Sequence, residues 1–183
     1  MDKGITTIPL VVFMTRFHKS YEFVGVDVAV QEPLRITLGN IDMAAGQSVR
    51  LLQENSLKVL PRLAESEEKF DVILIDGDHN YFTVQKELQN LTRLSKNTSL
   101  VVIDDYHGKW SDKDLWYAER EGYEGNSEVT IREETSKHGV KPAVDDFLEA
   151  NPEWQSISLV KGEPIVLHRK KTMFEQNALD FLS

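Results

Sequence analysis

Four ionisable side chains that follow two apolar runs define the candidate chemistry of this sequence. Asp76 and His79 follow the run at 71–75, and the adjacent pair Asp104 and Asp105 follows the run at 99–103. Carboxylate oxygens are the ligands that Mg²⁺, Mn²⁺ and Ca²⁺ prefer, and an imidazole can accept a proton near neutral pH. The pattern therefore predicts a divalent-metal site with a base beside it.

Both runs lack alternation of polar and apolar residues, which is typical of strands covered on both faces in a parallel sheet. Between them, residues 81–95 carry Val84, Leu88, Leu91 and Leu94 at helical spacing. A strand, helix and parallel strand form a right-handed crossover, so both acid clusters should lie at the same carboxyl edge of the sheet. Open α/β sheets bind their ligands at that edge.

The adjacent pair poses a geometric question, because neighbouring strand residues point to opposite faces. Asp104 and Asp105 can share one ion only if the chain has already turned out of the strand. The alternative is that one acid contacts the ion and the other has a capping or positioning role. A metal-free interpretation needs a cation such as Lys109 or Lys113, since three unpaired acids would repel one another.

Length and composition limit the class of protein. The 183 residues suit one domain, residues 1–183, with 40% hydrophobic and 28% charged residues. The net charge of −9 argues against nucleic acid or an anionic membrane as the main partner. The longest apolar run, 8–14, is too short to span a bilayer, and the absence of cysteine indicates a cytoplasmic protein.

The remaining periodicity predicts further elements along the chain. A helix over 8–19, with Thr6 or Thr7 as its cap, competes with a strand there. The other predicted elements are a strand at 21–28, a weak helix at 32–45 broken near Gly39, a strand at 49–53, a helix at 56–63, a helix at 139–150, a hairpin of 154–160 and 164–169 around Lys161-Gly162, and a closing helix at 172–182.

Residues 107–138 form a polar segment that is too long for a plain connection. It carries Trp110, Trp116, Tyr117 and Tyr123. These aromatic residues suit a lid over an organic substrate, or an inserted contact surface of a homo-oligomer. Both interpretations stay open.

Four short motifs carry a family resemblance: Gly25-Val-Asp27, Asp76-Gly-Asp-His79, Ile103-Asp-Asp-Tyr106 and the stretch 139–145. In this order they resemble class I S-adenosylmethionine-dependent methyltransferases over roughly residues 2–170. Within that superfamily the sequence is most similar to the metal-dependent O-methyltransferases of the macrocin O-methyltransferase and cephalosporin hydroxylase-like group. The resemblance implies a Rossmann-like, doubly wound α/β fold with a mostly parallel sheet, an antiparallel C-terminal hairpin and three αβα layers.

The resemblance also implies a cofactor site. Asp27 would accept hydrogen bonds from the ribose hydroxyls of S-adenosylmethionine. Gly4 and Thr6 would lie near its carboxylate, and Asn55 and Ser56 would lie beside the adenine. Plainer interpretations are a solvated acid at the end of a strand, an ordinary helix start, and helix capping by Ser56.

The implied reaction is methyl transfer to a hydroxyl of a small organic substrate. Asp76, Asp104 and Asp105 would bind the divalent cation, with Mg²⁺ the expected ion, and Asp76 would also line the cofactor site. His79 would accept the proton, with His107 in reserve, or His79 would instead lie in the ligand shell or on the adenine side. The alternatives are a methyltransferase-like binding protein without cofactor, and a nicotinamide oxidoreductase, which also places an acid on a ribose.

One departure concerns the start of the fold. Such proteins begin with a strand and a glycine-rich turn, whereas residues 2–7 here resemble only the end of that turn. The missing strand would lie between the strands that end at Asp27 and Asp76. We therefore expect an N-terminally incomplete domain, unless another segment or chain fills the gap or the fold differs.

Overall fold

Helices and strands alternate through most of the chain in a computed structural model, which describes residues 6–158 and 163–170. Gly4, the hairpin turn at Lys161-Gly162 and the closing helix predicted at 172–182 lie outside the described residues. The helices are α1 (Thr7–Phe17), α2 (Glu32–Gly39), α3 (Ser56–Glu65), α4 (Tyr81–Leu94) and α5 (Val140–Ala150). The strands are β1 (Tyr21–Asp27), β2 (Gln47–Gln53), β3 (Phe70–Ile75), β4 (Ser95–Ile103), β5 (Trp154–Ser158) and β6 (Ile165–Arg169).

The N-terminal unit comprises Met1–Arg62 and Tyr117–Thr130. Its strands β1 and β2 are parallel, in a register that places Asp27 opposite Gln53. Its helices α1 and α2 bury Val11, Leu34 and Leu38 in a core that the strand residues also line. The segment after Thr6 is thus a helix, as predicted, and the competing strand does not form.

The C-terminal unit comprises Leu63–Trp116 and Ile131–Ser183. Its sheet has the order β3-β4-β6-β5, in which β3 and β4 are parallel and β6 is antiparallel to both its neighbours. Helices α4 and α5 pack on one face of this sheet. The core there includes Leu88, Leu91, Val101, Ile103, Val144, Phe147, Trp154 and Leu167.

These features confirm the predicted α/β class, with parallel crossovers and an antiparallel C-terminal hairpin. The described strands nevertheless form two sheets, one in each unit. Within residues 6–158 and 163–170, β1 pairs only with β2, and β3 pairs only with β4. The strand that the family resemblance places between these two edges is not supplied by the described residues.

Two element ends differ from the predictions for local reasons. Helix α2 ends at Gly39, where a break is predicted, and does not resume before residue 45; the Asn40 N–H bonds back to the Ile36 carbonyl. Helix α3 is capped by Asn55, whose Oδ1 accepts the Leu57 N–H at 2.8 Å, and not by Ser56. No described helix combines the length and apolar character that a membrane span requires.

Candidate functional site

Asp76 and Asp104 follow the ends of the parallel strands β3 and β4. The Asp104 N–H donates to the Ile75 carbonyl at 3.0 Å, so the two strands end level with each other. One ligand atom each from Asp76, His79 and Asp104 lie within 4.8 Å of one another. The crossover topology therefore brings these three predicted residues together within the C-terminal unit.

Asp105 occupies a different place from its neighbour. Its φ of 57° is left-handed, so the chain leaves the strand at this residue. Its Oδ2 lies 3.1 Å from His79 Nδ1, and its Oδ1 accepts the Trp110 N–H at 3.4 Å. A Cβ at position 108 would collide with Asp105 Oδ1, so glycine there leaves room for the Asp105 carboxylate in this position. Asp105 contacts His79 in this geometry, while Asp104 lies in the group of three.

His79 lies in the turn between β3 and α4 and is 7% exposed. Its carbonyl accepts the Leu115 N–H at 3.0 Å, and its Nε2 lies 3.6 Å from Asp76 Oδ1. Because Asp105 faces Nδ1, the proton of a neutral ring is favoured on that nitrogen, which leaves the lone pair on Nε2. Burial lowers the pKa of His79, although Asp105 and Asp104 act in the opposite direction. The ring can therefore accept a proton or a cation at Nε2.

The two carboxylates of the group repel each other. Burial, and then the neighbouring Asp104, raise the pKa of Asp76 to about 6. Lys109 and Lys113, the cations that a metal-free interpretation needs, both lie over the ring of Trp110, 4.6 and 5.5 Å from its centroid. A bound cation would relieve the repulsion, so the donor set fits a divalent ion.

We expect Asp76→Asn to stabilise the metal-free protein at pH 8 and to stabilise it less at pH 5, which lies between the ordinary carboxyl pKa and the folded value of about 6. A pKa raised by folding means that stability is fully present below the ordinary carboxyl pKa and declines as the pH rises through about 6. Asp76 is partly exposed, and solvent screening leaves roughly 1 kcal/mol, or about 2–4 °C in melting temperature. Thermal unfolding in a chelator at both pH values measures this. A variant less stable than the native protein at pH 8 would contradict the claim that the ionised Asp76 carboxylate destabilises the metal-free protein.

Asp114 is a functional-site neighbour that the sequence did not reveal. Its buried Oδ1 accepts the backbone N–H groups of Tyr81 at 2.9 Å and Gly139 at 2.7 Å, and its Oδ2 lies 2.8 Å from His138 Nδ1. Burial alone would raise the pKa of Asp114, but these donors together lower it. One carboxylate thus caps the starts of α4 and α5, and in the sequence it is only one acid among several in 107–138.

A second unforeseen network joins Tyr106 to α5. The Tyr106 hydroxyl donates to Asp145 Oδ1 at 2.7 Å, and Lys141 Nζ donates to the same hydroxyl at 3.0 Å. Burial raises the pKa of Tyr106, so the hydroxyl keeps its proton. The network fixes the residue that follows Asp105 and thereby the turn that carries the acid pair.

The aromatic residues of 107–138 have different environments. Trp116 is 2% exposed and stacks on Phe82, with the Arg132 guanidinium 5.6 Å from its ring centroid. Tyr117 and Tyr123 contact each other in the N-terminal unit, with ring centroids 4.9 Å apart. Trp116 is therefore part of a packed structure, whereas Trp110 is half-buried between two lysines.

The residues predicted for the cofactor lie in the N-terminal unit. Asp27 ends β1, is 9% exposed, and accepts the Ala29 N–H on Oδ1 at 2.7 Å. Thr6 precedes α1 and makes no side-chain capping bond. Asn55 Nδ2 donates to the Glu128 carbonyl at 2.7 Å and to Thr130 Oγ1 at 3.2 Å, so its amide hydrogens are engaged in the fold. Ser56 begins α3.

Comparison with known families agrees with this architecture. The family described as "Methyltransferase domain" matches residues 2–106, and the chain belongs to that family. The resemblance to class I S-adenosylmethionine-dependent methyltransferases is thereby confirmed. No curated protein matches the chain.

Two solved structures match most of this chain. One is the apo structure of CalS11, a TDP-rhamnose 3′-O-methyltransferase of calicheamicin biosynthesis, with 14% identity and a TM-score of 0.53. The match covers 88% of this chain and 65% of CalS11. The other is the MycE methyltransferase of the mycinamycin pathway in complex with Mg, SAH and mycinamycin VI, with 14% identity and a TM-score of 0.48. That match covers 87% of this chain and 48% of MycE, so the chain spans about half to two thirds of these proteins.

Proposed function

We propose that this protein transfers a methyl group from S-adenosylmethionine to a hydroxyl of a small organic molecule, assisted by a divalent cation, with Mg²⁺ the expected ion. The observation that carries the proposal is the convergence of Asp76, His79 and Asp104 within 4.8 Å at the carboxyl ends of two parallel strands, in a chain of the methyltransferase family. This is the sheet edge at which α/β folds bind ligands.

Asp76 and Asp104 would hold the cation through carboxylate oxygens, the donors that Mg²⁺ prefers. Mg²⁺, when bound, supplies Lewis-acid chemistry and orients oxygen donors. Asp105 is also predicted from the sequence as a ligand, but here its carboxylate contacts His79 Nδ1. We therefore propose that Asp105 orients the His79 ring. This assignment follows the alternative in which one acid of the pair contacts the ion and the other positions a neighbouring side chain.

His79 would accept the proton of the substrate hydroxyl at Nε2. Burial keeps the ring neutral by lowering its pKa, and Asp105 holds the opposite nitrogen. With the base held in place, the chain's contribution to the reaction is mainly positioning and proton removal.

On the cofactor side, Asp27 would accept hydrogen bonds from the ribose hydroxyls, because a carboxylate offers acceptors only. The start of α1, near Thr6 and Gly4, would lie by the cofactor's carboxylate, which helix N–H groups favour. The amide hydrogens of Asn55 are used within the fold, so we assign the adenine contact at this corner to Ser56 and to the backbone.

We expect His79→Gln to lower kcat by about 10²–10⁴-fold, the usual contribution of a general base. Mg²⁺ affinity should stay within about threefold of the native value, since the two carboxylates remain. Steady-state kinetics and calorimetric titration of Mg²⁺ measure the two effects. A loss of Mg²⁺ affinity comparable to that of an Asp104 variant would instead identify His79 as a ligand.

Isothermal calorimetry of S-adenosylhomocysteine, with and without Mg²⁺, tests the proposed function. We expect a dissociation constant on the order of micromolar, about −8 kcal/mol. Asp27→Asn should weaken it at least tenfold, because one acceptor oxygen becomes a donor amide. A folded protein that binds no cofactor would favour a cofactor-independent binding protein. Binding would justify a substrate panel of sugar, phenolic and polyketide hydroxyls.

A further inference from the structure

The loop that follows β4 carries two lysines beside one aromatic ring. Lys109 Nζ and Lys113 Nζ lie 4.6 and 5.5 Å from the ring centroid of Trp110. Both lysines are exposed, and Trp110 is half-buried. We call these three residues the Lys-Trp-Lys patch. The face of an indole ring attracts ammonium groups within about 6 Å, so the ring keeps both cations in one place.

The two ammonium groups of the patch are not neutralised by acids of the protein. The chain has 30 acidic and 21 basic residues apart from histidine, and several other lysines pair with carboxylates. Those lysines are Lys58, Lys96, Lys137 and Lys141. Among the described residues, neither Lys109 nor Lys113 has an acidic partner, and both contact the Trp110 ring instead. Their charges are therefore available to an anion from solution.

The backbone of the patch is fixed between the candidate site and helix α5. The Trp110 N–H donates to Asp105 Oδ1 at 3.4 Å, and the Trp110 carbonyl accepts the Val140 N–H at 3.0 Å. The next carbonyl, that of Ser111, accepts the Lys141 N–H at 2.9 Å. These bonds hold the patch beside the turn that carries the acid pair.

The patch is two contacts away from the proposed base. Asp105, which accepts the Trp110 N–H, also lies 3.1 Å from His79 Nδ1. A small molecule whose hydroxyl lies at His79 has its other groups near the long, flexible lysine side chains. Asp76 and Asp104 would repel an acceptor that carries negative charge, and two ammonium groups beside them would offset that repulsion.

We propose that the Lys-Trp-Lys patch binds an anionic group, a carboxylate or a phosphate, on the acceptor whose hydroxyl is methylated. Lysine ammonium groups donate charge-assisted hydrogen bonds to the oxygens of both anions. The proposal rests on the proposed function and narrows its substrate class to hydroxy acids and hydroxylated phosphate esters. Neutral hydroxyl compounds of the same shape are then weaker ligands.

The test compares protocatechuate with its neutral amide, protocatechuamide, which has the same ring and the same two hydroxyls. Calorimetric titration into the full-length protein with Mg²⁺ gives the ratio of the two affinities. We expect the carboxylate to bind at least about tenfold more tightly than the amide. In the double variant Lys109→Met and Lys113→Met the ratio should fall below about threefold, because the two ammonium groups are gone. The ratio should also fall as the salt concentration rises, since exposed charges are screened.

Lys86→Met is the matched control. Lys86 lies on α4 with its Nζ 5.8 Å from the ring centroid of Phe82, so the variant removes the same charge from a similar contact outside the loop. We expect it to change the ratio less than about twofold, because a charge outside the patch does not contact the anion. Circular dichroism checks that each variant is folded.

Competition experiments distinguish the two kinds of anion. Stronger displacement of protocatechuate by phenyl phosphate than by benzoate would assign the patch to phosphate esters, and the reverse would assign it to carboxylates. Displacement by neither would overturn the proposal. A native ratio near one, a ratio that the double variant retains, an equal loss in Lys86→Met, or failure of both probes to bind would also overturn it.

The proposal and the proposed function can fail separately. A protein that prefers the anionic probe but binds no S-adenosylhomocysteine would retain the anion site and lose the assignment to methyl transfer. A protein that binds S-adenosylhomocysteine but does not distinguish the two probes would retain the methyltransferase assignment and lose the anion site.

Discussion

Replacing Asp104 with Asn should weaken Mg²⁺ binding at least 100-fold and remove metal-stimulated methyl transfer with it. Asp104 is the β4 member of the group of three, and its loss leaves only the Asp76 carboxylate to hold a cation that prefers several oxygens. Changes to mere outer-shell partners already cost about 10–100-fold in metal affinity, so loss of a direct ligand should exceed that. Calorimetric titration of Mg²⁺ measures the affinity without any substrate.

The control for this experiment is Asp71→Asn. Asp71 lies at the other end of β3, is exposed, and pairs with Lys96 at 2.7 Å. It carries the same charge, so its removal tests whether net charge alone sets the affinity. We expect Mg²⁺ binding to change less than twofold in this variant. Equal losses from Asp104→Asn and Asp71→Asn would mean that no specific site exists at the ends of β3 and β4.

Asp114→Ala should cost about 3–5 kcal/mol of unfolding free energy. The change deprives the Tyr81 and Gly139 N–H groups of their shared acceptor, and each buried donor left without a partner costs about 1–3 kcal/mol. Both groups lie at the starts of helices, where an acid also interacts favourably with the helix dipole. Urea denaturation followed by circular dichroism gives the free energy.

Asp114→Asn separates the backbone contacts from the charge. Both N–H groups bond to the same oxygen, Oδ1, which the amide of Asn can reproduce. The interaction that this variant loses is the contact of Oδ2 with His138, whose side chain is largely exposed. We expect Asn to cost less than about 1.5 kcal/mol, the usual value of one such bond. An Asn variant as unstable as the Ala variant would show that charge, and not backbone capping, is the main contribution.

The convergence of Asp76 and Asp104 could be predicted because it follows from topology. Two apolar runs joined by a helix most often become parallel neighbours, as β3 and β4 do here, and the residue after each then lies at a common edge. No side-chain detail enters that inference. Regular helical spacing of apolar residues predicts α4, whereas the prediction of α1 depends on its threonine cap and on Pro9 in its first turn.

The roles of Asp105 and Asp114 depend on features that no periodicity encodes. Asp105 reaches His79 because its backbone turns left-handed directly after β4, with a glycine at position 108 making room. Asp114 reaches two helix starts that are 58 residues apart in the chain, from inside an irregular segment. Such contacts arise only after the fold is complete. A cap on α3 was expected, yet Asn55 supplies it one residue early, since Asn and Ser are both good caps.

The hydrogen bonds between Asn55 and Glu128 limit when the N-terminal unit can finish folding during translation. Asn55 donates its backbone N–H and its amide to Glu128, which lies 73 residues later. The N-terminal unit likewise takes in Tyr117–Thr130. At the usual 5–20 residues per second, about 4–15 s of translation separate the two partners. The N-terminal unit therefore stays incomplete while β3, α4 and β4 are made.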